Sequence, residues 1–177
     1  MPIKILAVFS APRGVERLNI RDEKDTLITA LKNPEYGHLF EITPELHITL
    51  PKFKELLKND FQLIHFSGHS YQKYIIFEEI DGTSKRVPID AFIKLIEKKI
   101  QSPNNQLKCM IFNSCYSFKL GEELYKLGIC TISMKDEIKE RAARLFTEGF
   151  YSEFSNESTI FNMFENAQNN IHLHNLR

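Results

Sequence analysis

Short apolar runs alternate with amphipathic stretches from one end of the chain to the other. Ile3-Lys4-Ile5-Leu6-Ala7-Val8-Phe9 predicts a buried strand, and Ser10-Ala11-Pro12-Arg13-Gly14 stops it with Pro and Gly. Leu27, Ile28 and Leu31 then fall on one helical face, behind Asp22, Glu23 and Asp25, whose charge suits a helix start. Phe40-Glu41-Ile42 reads as a second strand. Leu50, Phe53, Leu56 and Leu57 share a helical face, with Thr49 as its cap and Pro51 in its first turn. Residues 61–66 give a third strand that stops at Ser67-Gly68. Residues 74–80 and 83–87 flank Asp81-Gly82, a hairpin turn signal. Asp90 is the expected cap of a helix carrying Phe92, Ile93, Ile96 and Ile100. Residues 107–112 form a fourth strand running directly into Asn113-Ser114-Cys115. A short helix through Leu120, Leu124 and Leu127 follows and ends at Gly128. Residues 129–134 give a fifth strand. Two helices close the chain, one through Ile138, Ala142, Leu145, Phe146 and Phe150, the other through Ile160, Phe164, Ala167 and Ile171.

Strands separated by helices predict an α/β fold with a mostly parallel central sheet and helices on both faces. With 177 residues the chain suits one domain, placed over residues 1–171, with a polar, frayed tail over 172–177. Lys plus Arg equal Asp plus Glu at 23 each, so bulk charge draws the chain neither to nucleic acid nor to an anionic membrane. No apolar run approaches the roughly 20 residues that span a bilayer, and the N-terminus does not read as a signal peptide. Three cysteines without scaffold spacing point to free thiols in a reducing compartment, the cytoplasm.

Ligands of open α/β sheets bind beyond the carboxyl ends of the strands. Two such ends carry reactive side chains: Ser67-Gly68-His69-Ser70 after the third strand, and Ser114-Cys115-Tyr116-Ser117 after the fourth. If these strands are neighbours, His69 and Cys115 emerge at one edge. An imidazole beside a thiol raises its thiolate fraction and can later protonate a leaving amine. The helix beginning near Ser117 would add the positive end of its dipole. The bland reading is a buried, inert thiol and a structural imidazole, and it suits Cys109 and Cys130 well. His65 is expected to be packed or hydrogen-bonded, and His38 and His47 lie in loops without an evident partner. No carboxylate or second thiol completes a metal site around His65 and His69, so no metal is expected there.

Leu63-Ile64-His65-Phe66-Ser67-Gly68-His69 resembles the His motif of CHAT-domain proteins, a bacterial branch of the caspase and separase superfamily. Ile111-Phe112-Asn113-Ser114-Cys115-Tyr116-Ser117 is similar to their Cys motif. The flanking hairpin over residues 74–87, the segment from Ile132 through Tyr151 and the helix over residues 160–167 resemble the family as well. His69 stands 46 residues before Cys115, close to the separation of about 50 found in caspases, although the local caspase Cys motif is absent.

The resemblance implies a caspase-like three-layer sandwich with a β-hairpin after the catalytic His, and cleavage of a protein substrate without metal or cofactor. It implies Cys115 as nucleophile, His69 as general base and acid, and the backbone N–H groups of Ser70 and Cys115 as oxyanion donors. It places Asn113 in the pocket for the residue preceding the cut. Asp136 is a candidate for a preference for basic residues there, against its alternative role as a helix cap. Arg13, Arg17 and Arg21 leave an acidic preference open. Relatives carry Gly where this chain has Ser70, a replacement that costs roughly 1 kcal/mol if that position needs φ > 0. The family also implies a regulatory or activating partner protein and a place in a bacterial defence or cell-death system. Two rivals stand beside this reading. A caspase-fold interaction module of weak or no activity draws support from Ser70. A nucleotide binder would need a Gly-rich loop after the first strand, which Ser10-Ala11-Pro12-Arg13-Gly14 does not supply.

Overall fold

In the computed structural model, which describes residues 1–32, 35–155 and 157–175, the first apolar run forms β1 (Ile3–Phe9). β2 (Phe40–Leu46), β3 (Leu63–Ser67), β7 (Cys109–Asn113) and β8 (Cys130–Ile132) join it in one sheet of order β2-β1-β3-β7-β8. Every pairing in it is parallel. β2 is four residues longer than Phe40-Glu41-Ile42 suggests and includes Pro44, which a strand tolerates at the outer edge of a sheet. The hairpin forms as β5 (Tyr74–Glu78) and β6 (Ser84–Pro88), with Gly82 at φ +81° in its turn. A two-residue strand, β4 (Ser70–Tyr71), extends it to a small antiparallel sheet of order β4-β5-β6.

The period-2 alternation of the parallel strands sorts their side chains to two faces. Leu6, Val8, Ile64, Phe66, Met110 and Phe112 point to one face, where they meet α2 (Leu50–Leu56), α3 (Ile89–Ile100), α4 (Phe118–Lys126) and the hairpin. Phe53, Phe66, Phe77, Phe92 and Phe112 interlock there with ring centroids 5.4–6.4 Å apart. Ile5, Ala7, Phe9, Leu63, Cys109 and Ile111 point the other way, against α1 (Ile20–Leu31), α5 (Glu140–Ser152) and α6 (Ile160–Leu173).

The cap assigned to Asp90 is corrected: Pro88 holds that position, its fixed φ leading into the helix, and Asp90 sits in the first turn. Ile138 lies outside α5, whose cap is Lys139. The tail begins later than residue 172, because α6 continues to Leu173; Leu176 and Arg177 lie outside the described residues. His47 is not partnerless, since its Nδ1 lies 3.1 Å from both carboxylate oxygens of Glu78. Cys130 is not buried; it is exposed at the start of the edge strand. No helix among the described residues is long and apolar enough to cross a membrane.

Candidate active site

β3 and β7 are direct neighbours, and their register sets Ser67 opposite Asn113. His69 and Cys115 each lie two residues beyond that pair, at the same edge of the sheet. Both line a cavity of about 270 Å³, together with Glu16, Glu23, Ser70, Asn113, Ser114 and Ile138. The turn after β3 needs Gly68, because a Cβ there would come within 2.9 Å of the Ser10 carbonyl oxygen. Ser10 N–H in turn bonds the Ser67 carbonyl at 2.9 Å, fastening the end of β1 to the base of the His69 turn.

His69 Nε2 lies 2.7 Å from the carbonyl oxygen of Glu16. A carbonyl only accepts, so the ring carries its proton on Nε2, and Nδ1 of the neutral imidazole is left with a free lone pair. Cys115 Sγ accepts the Ile138 N–H at 3.5 Å and lies 3.9 Å from the Ile138 carbonyl oxygen. The next residue, Tyr116, takes φ +52°, a left-handed conformation uncommon for a residue with a side chain. Its N–H bonds the Asp136 carbonyl at 3.3 Å and its hydroxyl donates to Glu137 at 3.1 Å. α4 begins three residues beyond Cys115, and the N–H of its first residue, Phe118, is tied to the Met134 carbonyl at 2.9 Å.

Ser70 does not take a positive φ; it sits in β4 with ordinary backbone, which removes the cost anticipated for a side chain there. The Ile76 N–H bonds the His69 carbonyl, so His69–Ile76 is a hydrogen-bonded pair of the ladder and Ser70–Ile75 is not. In such a ladder the N–H of Ser70 points away from β5. Its hydroxyl donates to the Cys115 carbonyl, stitching the His turn to the Cys turn.

Below the cavity lies a buried polar cluster that the sequence reading missed. Glu23, only 6% exposed, comes from α1. Its Oε2 accepts from the Ser67 hydroxyl at 2.5 Å, and its Oε1 accepts from Asn113 Nδ2 at 2.6 Å and Thr147 Oγ1 at 3.3 Å. His65 Nε2 adds a 3.4 Å contact and turns its Nδ1 to the Tyr151 hydroxyl at 3.1 Å. Burial pushes the Glu23 carboxyl up, but the bond and charge of His65, with the bonds from Ser67 and Asn113, outweigh it and hold the group below its ordinary value. Asn113 Nδ2 donates to Glu23, the Ala143 carbonyl and Thr147, while its Oδ1 has no partner among the described residues; Ser114 Oγ has none there either.

Asp136 is exposed and absent from the residues lining the cavity, and it caps no helix, since α5 starts beyond Lys139. Arg13, Arg17 and Arg21 are absent from the lining too; Arg13 donates to the Asp81 carbonyl at the hairpin turn. A more open depression of about 610 Å³ between α1 and α5 contains no cysteine.

No known family profile matches the sequence. No curated protein matches it either. Solved structures do match. A secreted C11 cysteine protease from Bacteroides thetaiotaomicron, solved with an irreversible peptide inhibitor, superposes with a TM-score of 0.64 at 11% identity. The match covers 94% of this chain and 58% of that protease. The fold is caspase-like. The Drosophila initiator caspase Dronc agrees, with a TM-score of 0.52 at 9% identity over 93% of this chain and 70% of that one. The chain thus spans little more than half the length of the C11 protease.

Proposed function

We propose that this chain is a cysteine endopeptidase of the CHAT type, with Cys115 as nucleophile and His69 as its base. The observation that carries the reading is the pairing of His69 and Cys115 at adjacent strand ends in one cavity, with Nε2 of His69 spent on the Glu16 carbonyl. That bond leaves Nδ1 to take the thiol proton and fixes the ring in the way a third group orients a catalytic base. Sγ then attacks the scissile carbonyl carbon, and the oxygen's developing charge meets the N–H groups of Ser70 and Cys115. His69 returns the proton to the leaving amine, and water, deprotonated by the same ring, hydrolyses the thioester. Ser70 supports this reading, since its strand conformation aims the N–H off the hairpin and its hydroxyl braces the Cys turn.

The floor of the cavity favours a lysine or arginine before the cut. Glu23 is already satisfied by Ser67, Asn113, Thr147 and His65, but its carboxylate lies in the lining beside the unpartnered acceptor Asn113 Oδ1. Glu16, Glu137 and Glu140 line the cavity as well, against Lys139 alone among the described Lys and Arg. The substrate is a protein. A cytoplasmic setting, a regulatory partner and a role in bacterial defence or cell death follow from the CHAT reading.

The test is the alkylation rate of Cys115 against pH, resolved by peptide mapping because Cys130 is exposed as well. A fast rate persisting below pH ~7 in the parent and lost in His69→Ala is expected. A midpoint near the free-thiol value of about 8.5, unchanged in the variant, would sink the dyad. Peptides carrying Arg, Lys, Asp or Leu before the cut then read the preference; removing His69 should lower turnover by about 10²-fold or more.

A further inference from the structure

Cys109 opens β7 and Cys130 opens β8, and the parallel register sets them directly opposite one another. Paired residues of a sheet share a face, so the two side chains stand side by side, close enough for each thiol to perturb the other. Adjacent strands lie about 4.7–4.9 Å apart, within the Cα separations of roughly 4.4–6.8 Å that a disulfide bridges. The Cβ atoms of such a pair must approach slightly to reach bonding geometry. β8 can supply that movement, because it is three residues long and at the edge of the sheet.

The two thiols have opposite surroundings. Cys109 is 3% exposed, against the core beneath α5, whereas Cys130 is exposed. Donating to Cys130, and burial, keep the Cys109 proton in place; accepting that bond brings Cys130 down to about 7. An accessible sulfur with thiolate character beside a protonated thiol is the arrangement in which one cysteine meets an oxidant and the other resolves it.

We infer that Cys130 and Cys109 form an oxidation site that takes a small hydroperoxide and closes reversibly to a disulfide. The Cys130 thiolate attacks one peroxide oxygen; the O–O bond breaks and hydroxide leaves, taking a solvent proton. Cys130 is thereby oxidised by two electrons to the sulfenic acid. Cys109 sulfur attacks Cys130 sulfur, the S–S bond forms, the S–O bond breaks, and the departing hydroxide takes the Cys109 proton as water. With hydrogen peroxide the sum is two thiols and one peroxide to one disulfide and two waters. A bond closed by pulling an edge strand inward is strained, and a dithiol reductant reopens it. Neither sulfur lines the cavity of His69 and Cys115, so the inference stands apart from the proposed peptidase activity.

The test uses the Cys115→Ala chain, so that only this pair reports. After a few equivalents of hydrogen peroxide, the protein is unfolded, alkylated with N-ethylmaleimide and weighed intact. The expected product is about 2 Da lighter than the reduced chain, takes no alkylation at either cysteine, and recovers both sites with dithiothreitol. Its digest contains Cys109 joined to Cys130, a result that needs no further variant. Cys109→Ala in the same background should stop at a sulfenic acid, about 16 Da heavier and trapped by dimedone at Cys130. Cys130→Ser should leave Cys109 reduced. The inference is overturned if Cys130 advances to sulfinic or sulfonic acid while Cys109 still alkylates, if Cys130 bridges two chains, or if neither sulfur reacts under conditions that oxidise free glutathione.

Discussion

The two faces of the central sheet are built from opposite materials. One holds five interlocked phenylalanine rings inside a large apolar cluster. The other is also apolar over most of its area, but just below the edge that carries His69 and Cys115 it buries Glu23, His65, Ser67, Asn113 and Thr147 in a single hydrogen-bonded group. Rings at van der Waals distance give cohesion without direction. A carboxylate out of water survives only if every neighbour is placed to satisfy it, so the polar face fixes geometry where the other fixes stability. The cavity opens over the polar cluster, with Glu23 and Asn113 in its lining.

This contrast predicts that substitutions on the two faces will separate stability from specificity. The largest loss of stability should come from Phe92→Ala, about 3–5 kcal/mol by denaturant unfolding, with substrate preference unchanged in the folded fraction. A comparable loss of preference would mean that the aromatic face shapes the cavity as well. Glu23→Gln should cost less stability, about 1–3 kcal/mol, yet lower kcat/KM for Arg and Lys peptides by about 10²-fold. Because the Glu23 carboxyl is held below its ordinary 4.5, its contribution to stability is complete above that pH. It is lost as the pH falls through the depressed folded value, since the unfolded chain then binds the proton more readily. The acid limb of the stability profile should therefore be shallower in Glu23→Gln, and an unchanged limb would show that the carboxylate is not ionised in the fold.

Smaller effects sharpen the same contrast at the rim of the cavity. Ser70→Ala removes the bond to the Cys115 carbonyl and should cost about 1 kcal/mol, with a several-fold drop in turnover and little change in KM. Ser70→Gly should do no better, since the position needs no positive φ. Asp136→Asn should leave both turnover and preference where they were; a selective loss on basic peptides would return Asp136 to the pocket and weaken the case for Glu23.

The sequence made the frame legible because strands and amphipathic helices advertise themselves through periodicity. β1, the hairpin around Gly82, and the strand ends bearing His69 and Cys115 were all readable in this way. What it concealed is instructive. Glu23 sits in an acidic first turn, where charge serves the helix dipole, yet the buried set Ile20, Glu23, Leu27 and Leu31 shows it on the apolar stripe. A charged residue in register with that stripe was the available signal. Glu16 acts through its carbonyl, and a carbonyl belongs to every residue, so no side-chain pattern could mark it. Ile138 reads as the start of an amphipathic helix because it keeps the period, while tertiary contact holds it one residue short of the cap and against Cys115.

Pro44 has a consequence for crowding rather than for chemistry. A parallel sheet with two free margins invites a neighbouring chain to add a strand at either one. At the β2 margin the proline withholds a donor, and Glu41 and Glu45 bring like charge to any second copy that approaches in register. At the other margin β8 offers three residues, too short a template to hold a partner by backbone bonds alone. Among the described residues, both margins of the sheet thus disfavour the addition of a strand by a second copy.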